Sequence, residues 1–89
     1  MFYCYILYSQ KLDKHYIGST GDLSGRLRRH NSAHKGFTAT GNPWELKYSE
    51  SFGTKSEALK RETELKRWKN RNKIEELIKK APNQTQGSH

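Results

Sequence analysis

The longest run of aromatic and aliphatic residues, Phe2–Tyr8, lies at the start of the chain and constrains its fold more than any other feature. Because only 31% of the 89 residues are hydrophobic, the core must be concentrated in a few elements, and this run is one of them. Its aromatic content predicts a β-strand. Alternation along that strand places Tyr3, Tyr5 and Leu7 on one face.

Polar turns and helical spacing divide the remaining sequence into short elements. The polar stretch 9–14 separates the first strand from a second short run, which predicts an antiparallel hairpin. Asn72, with Glu75 three residues later, resembles a capping box for the last helix. The predicted elements after the first strand are a strand over His15–Gly18, a helix to about Asn31, a loop over 31–42, a strand over Trp44–Phe52 and helices over 56–68 and 72–80. This β-β-α-β-α-α order predicts an α+β fold, an α/β sandwich in which a small antiparallel sheet is covered by helices.

The domain is expected to end near residue 81. Helical spacing of Ile74, Leu77 and Ile78 extends to Ala81, whereas residues 82–89 contain no Asp, Glu, Lys or Arg and no apolar pattern. The sequence therefore predicts one domain over 1–81 and a disordered polar tail over 82–89.

The chain is strongly basic, with 17 Lys and Arg residues against nine Asp and Glu residues and a net charge of +8 at pH 7. Such a protein attracts polyanions, nucleic acid first and an anionic membrane second, although Lys and Arg are also common on solvated helix faces. A single cysteine, Cys4, excludes an internal disulfide framework and a multi-cysteine metal site. No segment reaches the roughly 18 apolar residues of a membrane span. We expect a soluble cytoplasmic protein that binds nucleic acid and no membrane.

A carboxylate interrupts the apolar stripe of the helix predicted over 56–68. Glu62 lies four residues after Ala58, inside that stripe. A charge that faces the sheet costs roughly several kcal/mol unless it is paired or bound to a metal. Glu62 is therefore either a metal ligand or an edge residue in an ion pair with Lys66 at i+4. The full stripe is Ala58, Leu59, Leu65 and Trp68.

Two basic residues fall on the inner face of the first predicted helix. Leu23 and Leu27 define that face, and helical spacing places Arg26 and His30 beside them. Arg26 either directs its guanidinium into a site or packs its stem while its head reaches water. His30 is either catalytic or a hydrogen-bonded residue that closes the helix.

Tyrosines complete a set of groups suited to phosphodiester hydrolysis. Tyr3 and Tyr5 share a face, and Tyr16 could lie across the hairpin near Tyr5, so these phenols would meet Arg26 and Glu62 at one sheet surface. Aromatic residues in strands are nevertheless usually core. Mg²⁺ needs only one or two carboxylates from a protein, and an arginine can neutralise charge on a phosphate. Because the ordinary pKa of tyrosine is about 10, a phenol that acts as a base needs a nearby cation.

Four ordered blocks of the sequence resemble the GIY-YIG nuclease family. The second half of the family's name motif is intact as Tyr16-Ile17-Gly18, and the first half is Tyr3-Cys4-Tyr5, in which Tyr3-Cys4 replaces Gly-Ile. The stretch 22–31 is similar to the family's arginine helix, and 58–66 is similar to its glutamate helix. The likeness covers about residues 2–80 and is strongest to the short stand-alone bacterial members related to the nuclease domain of the excision-repair incision subunit.

The resemblance implies a three-stranded antiparallel sheet flanked by helices and one Mg²⁺ or Mn²⁺ ion. It implies that Glu62 binds the metal and that the arginine and tyrosines surround the phosphate. Tyr5 is our choice of general base, with Tyr16 tuning it or holding the phosphate. The catalytic residues implied are Tyr5, Tyr16, Arg26, His30 and Glu62.

Together these features predict a metal-dependent endonuclease that hydrolyses DNA phosphodiester bonds with little sequence specificity. A role in DNA repair or recombination is expected, in a monomer or weak dimer that would be associated with the nucleoid in a bacterium. The alternative is a nucleic-acid-binding module of the same fold that does not cleave, since binding alone explains the charge. The predicted contacts to the nucleic-acid backbone are Arg28, Arg29, Lys35, Lys66, Lys69 and Arg71.

If these contacts are to phosphates, affinity for duplex DNA falls as salt rises. The logarithm of the binding constant should decrease with the logarithm of salt concentration with a slope of about −0.9 per phosphate neutralised. Fluorescence anisotropy of labelled duplexes of different sequence at several salt concentrations measures this slope. A binding constant that is flat between low and physiological salt would contradict the prediction.

Overall fold

The computed structural model describes residues 1–32 and 37–80, with side chains for 1–32 and 39–80. The predicted backbone contact Lys35, the last apolar residue Ala81 and the predicted tail 82–89 lie outside the described residues. Among the helices that are described, none is long and apolar enough to cross a membrane.

A three-stranded antiparallel sheet lies at the centre of the fold, as predicted. Its strands are β1 (Phe2–Ser9), β2 (Lys14–Thr20) and β3 (Trp44–Phe52), in the order β2-β1-β3. The apolar run therefore forms the middle strand, where both edges are paired and both faces are covered. Residues 4–7 are at most 1% exposed. β2 extends beyond the predicted run at both ends and is an edge strand.

The helices are α1 (Leu23–Ser32), α2 (Phe37–Thr40), α3 (Lys55–Trp68) and α4 (Arg71–Lys79). The prediction of a continuous loop over 31–42 is wrong, because α1 includes residue 32 and α2 is a short helical turn. The side chain of Asn31 hydrogen-bonds to both backbone groups of Trp44, the first residue of β3. Its side-chain oxygen accepts a hydrogen bond from the Trp44 N–H at 2.6 Å, and its amide donates to the Trp44 carbonyl at 3.1 Å.

The last helix begins earlier than predicted. Its N-cap is Asn70, whose side chain accepts a hydrogen bond from the Lys73 N–H, so the proposed capping box at Asn72 is wrong. The reason is Lys69, which adopts the left-handed conformation with φ 45° and ends α3. Glu75 therefore forms an ion pair with Arg71 instead of capping the helix.

Two apolar clusters lie on opposite faces of the sheet. On one face Cys4, Ile6 and Tyr48 pack against Leu65 of α3 and Ile74 of α4. On the other face Tyr5, Leu7 and Trp44 form a second cluster, and Leu23 and Leu27 of α1 pack against it. The sandwich that this produces confirms the predicted α+β fold class.

One residue predicted for the buried stripe of α3 faces solvent. Ala58 and Leu65 are 1% exposed, whereas Leu59 is 44% exposed. The position that follows Ala58 is rotated by about 100° around a helix of 3.6 residues per turn, so Leu59 points away from the sheet. The core contribution of α3 is therefore Ala58, Leu65 and the half-buried Trp68.

A charged cluster ties the β1–β2 turn to the start of α4. Asp13, which has φ 54°, accepts hydrogen bonds from the Arg71 guanidinium and from the Tyr8 hydroxyl. The guanidinium, followed by the hydroxyl, lowers the pKa of the Asp13 carboxyl to about 2. Glu75 also forms an ion pair with Arg71. Arg71, which was predicted to contact phosphate, is therefore paired with two carboxylates.

Candidate active site

The predicted catalytic side chains come from both faces of the sheet. Tyr5 belongs to the cluster on the α1 face, whereas Glu62 lies on α3, which covers the opposite face. The expectation that all of these groups point toward one sheet surface is therefore wrong. The reason is strand alternation: Ser19, which contacts Glu62, pairs with Cys4 and shares its face, whereas Tyr5 has the opposite orientation.

The two layers meet at the end of the sheet where β2 finishes and β1 begins. A cleft of about 210 Å³ opens there between α1 and α3. Arg26 of α1 and Ala58 of α3 lie on opposite walls, and Glu62 is one helical turn beyond Ala58. The residues that line the cleft are Phe2, Ser19, Thr20, Gly21, Arg26, Lys55 and Ala58.

Tyr5 is the most enclosed of the predicted catalytic residues, at 1% exposure. Its hydroxyl lies 3.3 Å from His30 Nε2. Burial raises the pKa of the Tyr5 phenol to about 12, and the positive charge of Arg26 opposes that rise. A phenol in this position is protonated at neutral pH and is not accessible to a water nucleophile.

Gly18 makes room for the Tyr5 hydroxyl. The two residues are cross-strand partners, and a Cβ at position 18 would lie 2.6 Å from the Tyr5 oxygen and 3.3 Å from the Tyr16 ring. The motif Tyr16-Ile17-Gly18 therefore combines three roles. Tyr16 joins the α1 face, Ile17 packs on the α3 face and Gly18 leaves the space that Tyr5 occupies.

His30 joins the two tyrosines to α1. It is 7% exposed, and its ring lies edge-on to Tyr16 with the ring centroids 4.7 Å apart. Burial, followed by the charges of Arg26 and Arg29, lowers the pKa of the His30 imidazole. The imidazole is therefore neutral at pH 7, the state in which one ring nitrogen can accept a hydrogen bond. The sequence allows His30 to be a hydrogen-bonded residue that closes the helix. The hydrogen bond is present, but α1 continues past His30 to Ser32.

Arg26 projects from the second turn of a capped helix. Asp22 precedes α1, and its side chain accepts a hydrogen bond from the Gly25 N–H at 3.1 Å while its carbonyl accepts from the Arg26 N–H. Arg26 Nε is buried and has no hydrogen-bond partner within the described part of the chain. An unpaired buried guanidinium N–H is costly. Arg26 also lines the cleft, and a guanidinium is suited to binding an anion there.

Both oxygens of the Glu62 carboxylate have partners. Ser19 Oγ donates to Oε1 at 2.7 Å, and Lys66 Nζ donates to Oε2 at 2.7 Å. The ion pair with Lys66 that the sequence allowed is therefore present, together with a second contact that the sequence did not suggest. The Glu62 side chain remains 19% exposed.

The donor set around Glu62 fits a hydrated hard cation. In residues 1–32 and 37–80, no cluster of three or more His, Cys, Asp or Glu side chains could cage a metal. Mg²⁺ retains several waters and commonly takes one or two carboxylates together with substrate phosphate. A single partly exposed carboxylate on a helix that flanks a cleft satisfies this requirement, whereas it does not satisfy a structural zinc site.

The predicted backbone contacts differ in availability. Arg28 and Arg29 are exposed on α1, and Lys69 is exposed at the end of α3. Lys66 and Arg71 are engaged by carboxylates. Sequence reasoning missed Lys55, which lines the cleft as the first residue of α3.

Comparison with known proteins identifies the family of this chain. The sequence model of the GIY-YIG catalytic domain matches residues 1–75, so the chain belongs to the GIY-YIG family, a family of nuclease domains. A UPF0213 protein of Bacillus pumilus is 45% identical over 67 residues, which are 70% of this chain and 67% of that protein. A UPF0213 protein of Staphylococcus epidermidis is 43% identical over 61 residues, which are 66% of this chain and 73% of that protein.

A solved structure is also similar. The solution NMR structure of a UPF0213 protein from Bacillus halodurans covers 99% of this chain and 98% of its own, with a TM-score of 0.57 and 28% identity. The predicted resemblance to short bacterial GIY-YIG proteins is confirmed.

Substituting Gly18→Ala tests the packing of the two motif tyrosines. The added methyl group would overlap the enclosed Tyr5 hydroxyl, so we expect a loss of about 1 to 3 kcal/mol in the free energy of unfolding. Urea denaturation measures the loss, and NMR shifts of the His30 ring report displacement of Tyr5. Gly21→Ala is the matched control, since its Cβ would come no closer than 3.4 Å to Phe2. Equal stability of the two variants would contradict this account of the motif.

Proposed function

We propose that this protein is a divalent-metal-dependent endonuclease that hydrolyses DNA phosphodiester bonds in the cleft between α1 and α3 at the end of β2. The observation that carries the proposal is Arg26, which lines the cleft opposite Ala58, one helical turn before Glu62, and whose buried Nε has no partner among the described residues. A guanidinium suited to an anion and a carboxylate suited to a cation thus belong to the two helices that flank the cleft. Membership of the GIY-YIG family supports nuclease chemistry at that place.

Arg26 is assigned to the scissile phosphate. Its guanidinium offers several N–H donors in a fixed plane, which suits two oxygens of a phosphodiester. Charge develops on those oxygens during hydrolysis, and a donor already in place stabilises it without reorganisation. The position of Arg26 at the cleft wall supports this role.

Glu62 is assigned as the protein ligand of one Mg²⁺ or Mn²⁺ ion. When bound, such an ion polarises the phosphate and stabilises the leaving oxygen. Glu62 itself presents a hard, partly exposed oxygen donor, and water can complete the coordination shell.

The two tyrosines are assigned different roles. Tyr5 is enclosed and has a raised pKa, so our sequence-based choice of Tyr5 as the base is revised. Tyr16 is only half-buried, and we assign it to contact the attacking water. Tyr5 and His30 then act as positioning residues, since both rings pack against Tyr16, at 6.5 and 4.7 Å between centroids.

Recognition of DNA is assigned mainly to charge. The net charge of +8 and the exposed Arg28 and Arg29 of α1 favour contact with the sugar-phosphate backbone rather than with bases. The proposal includes little sequence specificity and a role in DNA repair or recombination, carried out by a cytoplasmic monomer or weak dimer.

Glu62→Gln separates catalysis from binding. The variant keeps the size of the side chain and its contact to Ser19 but weakens the metal ligand, so nicking of supercoiled plasmid in Mg²⁺ or Mn²⁺ should fall by orders of magnitude. DNA affinity should survive or rise, because a negative charge is removed from a basic protein. Glu64→Gln, on the exposed side of α3, is the matched control and should cut normally.

Two results would count against the proposal in different ways. Near-normal nicking by folded Glu62→Gln protein in excess Mg²⁺ would reduce Glu62 to an ion-pair partner of Lys66. An absence of nicking by wild-type protein on duplex, branched and single-stranded substrates with either metal would instead favour the non-catalytic binding module.

Tyr16→Phe and Tyr5→Phe distinguish the base from its support. If Tyr16 contacts the nucleophile, its loss should lower the cleavage rate by about 10²- to 10⁴-fold, the usual contribution of a positioned base. Tyr5→Phe should lower it less while also reducing thermal stability, because His30 loses its buried partner. Single-turnover cleavage and melting temperature, with Tyr3→Phe as the control, measure both effects. The reverse order of rates would return the role of base to Tyr5.

A further inference from the structure

The two oxygens of Glu62 are held by groups of different character. Oε1 accepts from the Ser19 hydroxyl, which belongs to β2, and Oε2 accepts from the Lys66 ammonium, which belongs to α3. One partner is neutral and fixed to the sheet. The other is charged and mounted on a long side chain of the same helix.

Ser19 is well placed to orient the carboxylate. It pairs with Cys4 of the central strand and immediately follows Gly18, so its backbone position is determined by the sheet. Its hydroxyl contact is partly buried and links residues 43 positions apart. A hydroxyl that donates to one oxygen leaves the remaining lone pairs of a carboxylate free to bind a cation.

The positive charge of Lys66 opposes the binding of a metal cation at the Glu62 carboxylate. Its side chain is 54% exposed, and its ammonium is a compact point charge that contacts Oε2. A metal ion binding at that oxygen has to displace the ammonium or accept its repulsion. An exposed ion pair is weak enough for such displacement.

We infer that Ser19 is a positioning residue that presents Glu62 to a divalent cation and that Lys66 is a competing cation on the same carboxylate. This inference rests on the proposed function insofar as Glu62 is taken as the metal ligand. Loss of Ser19 should weaken cation binding at Glu62, whereas loss of the Lys66 charge should strengthen it. A merely structural role for either residue would not produce these opposite effects.

The test uses Mn²⁺ itself as the probe. Paramagnetic broadening of amide signals around Glu62 in ¹⁵N-labelled protein reports local binding without reference to cleavage. Ser19→Ala should need about 10- to 100-fold more Mn²⁺ than wild type, as when a ligand's outer partner is lost. Lys66→Gln should need about 2- to 5-fold less, the range for release of an exposed ion pair.

Control variants separate local from general effects. Ser51→Ala removes a hydroxyl from the exposed part of β3, and Lys60→Gln removes the same charge elsewhere on α3. Both should bind Mn²⁺ like wild type. Ser19→Thr retains the hydroxyl and should restore binding, and melting temperatures check that each variant is folded.

The outcomes distinguish this inference from the proposed function. If Glu62→Gln leaves the local broadening unchanged, the metal-ligand assignment itself fails. If Glu62→Gln abolishes the broadening but Ser19→Ala matches Ser51→Ala, or Lys66→Gln weakens binding, the inference is overturned while the metal site stands. Opposite shifts of the two variants, with rescue by Ser19→Thr, support it.

Discussion

The register between β1 and β2 is the constraint on which the rest of the structure depends. Tyr5 pairs with Gly18 and Cys4 pairs with Ser19, so adjacent residues of each strand serve opposite faces. A slip of one residue would move every side chain of β2 to the other face. It would place a side chain against the Tyr5 hydroxyl and remove Ser19 from Glu62. The register is pinned by the buried middle strand, whose four central residues are almost fully enclosed.

The same arrangement explains how a small basic chain keeps a guanidinium and a carboxylate apart. Arg26 and Glu62 would neutralise each other if they lay side by side on one surface. They are instead mounted on helices that cover different faces, and each has its own surroundings: Tyr5 and His30 near Arg26, and Ser19 and Lys66 near Glu62. Placement in different layers keeps these opposite charges apart.

Much of the fold was predictable because alternation and helical spacing are local properties. The run Phe2–Tyr8, the hairpin and the helix around Leu65 follow directly from such patterns. The face that each helix covers was not predictable, since alternation defines faces within a strand but not which helix packs on them. The burial of Tyr5 and the left-handed Lys69 depend on tertiary packing, and neither has a distinctive local signal. The contact of Ser19 with Glu62 was not predictable from local sequence patterns, because the two residues are 43 positions apart.

The division of the site between two layers has a consequence for when the protein can be active. Edge strands and their flanking helices open locally at lower free energy than a buried central strand. If β2 separates from β1, Gly18 and Ser19 leave with it, and the contact between Ser19 and Glu62 is lost. A partly unfolded or incompletely synthesised chain that still carries all of these residues thus lacks the arrangement described for the site. Any activity at this site is conditional on the completed sheet.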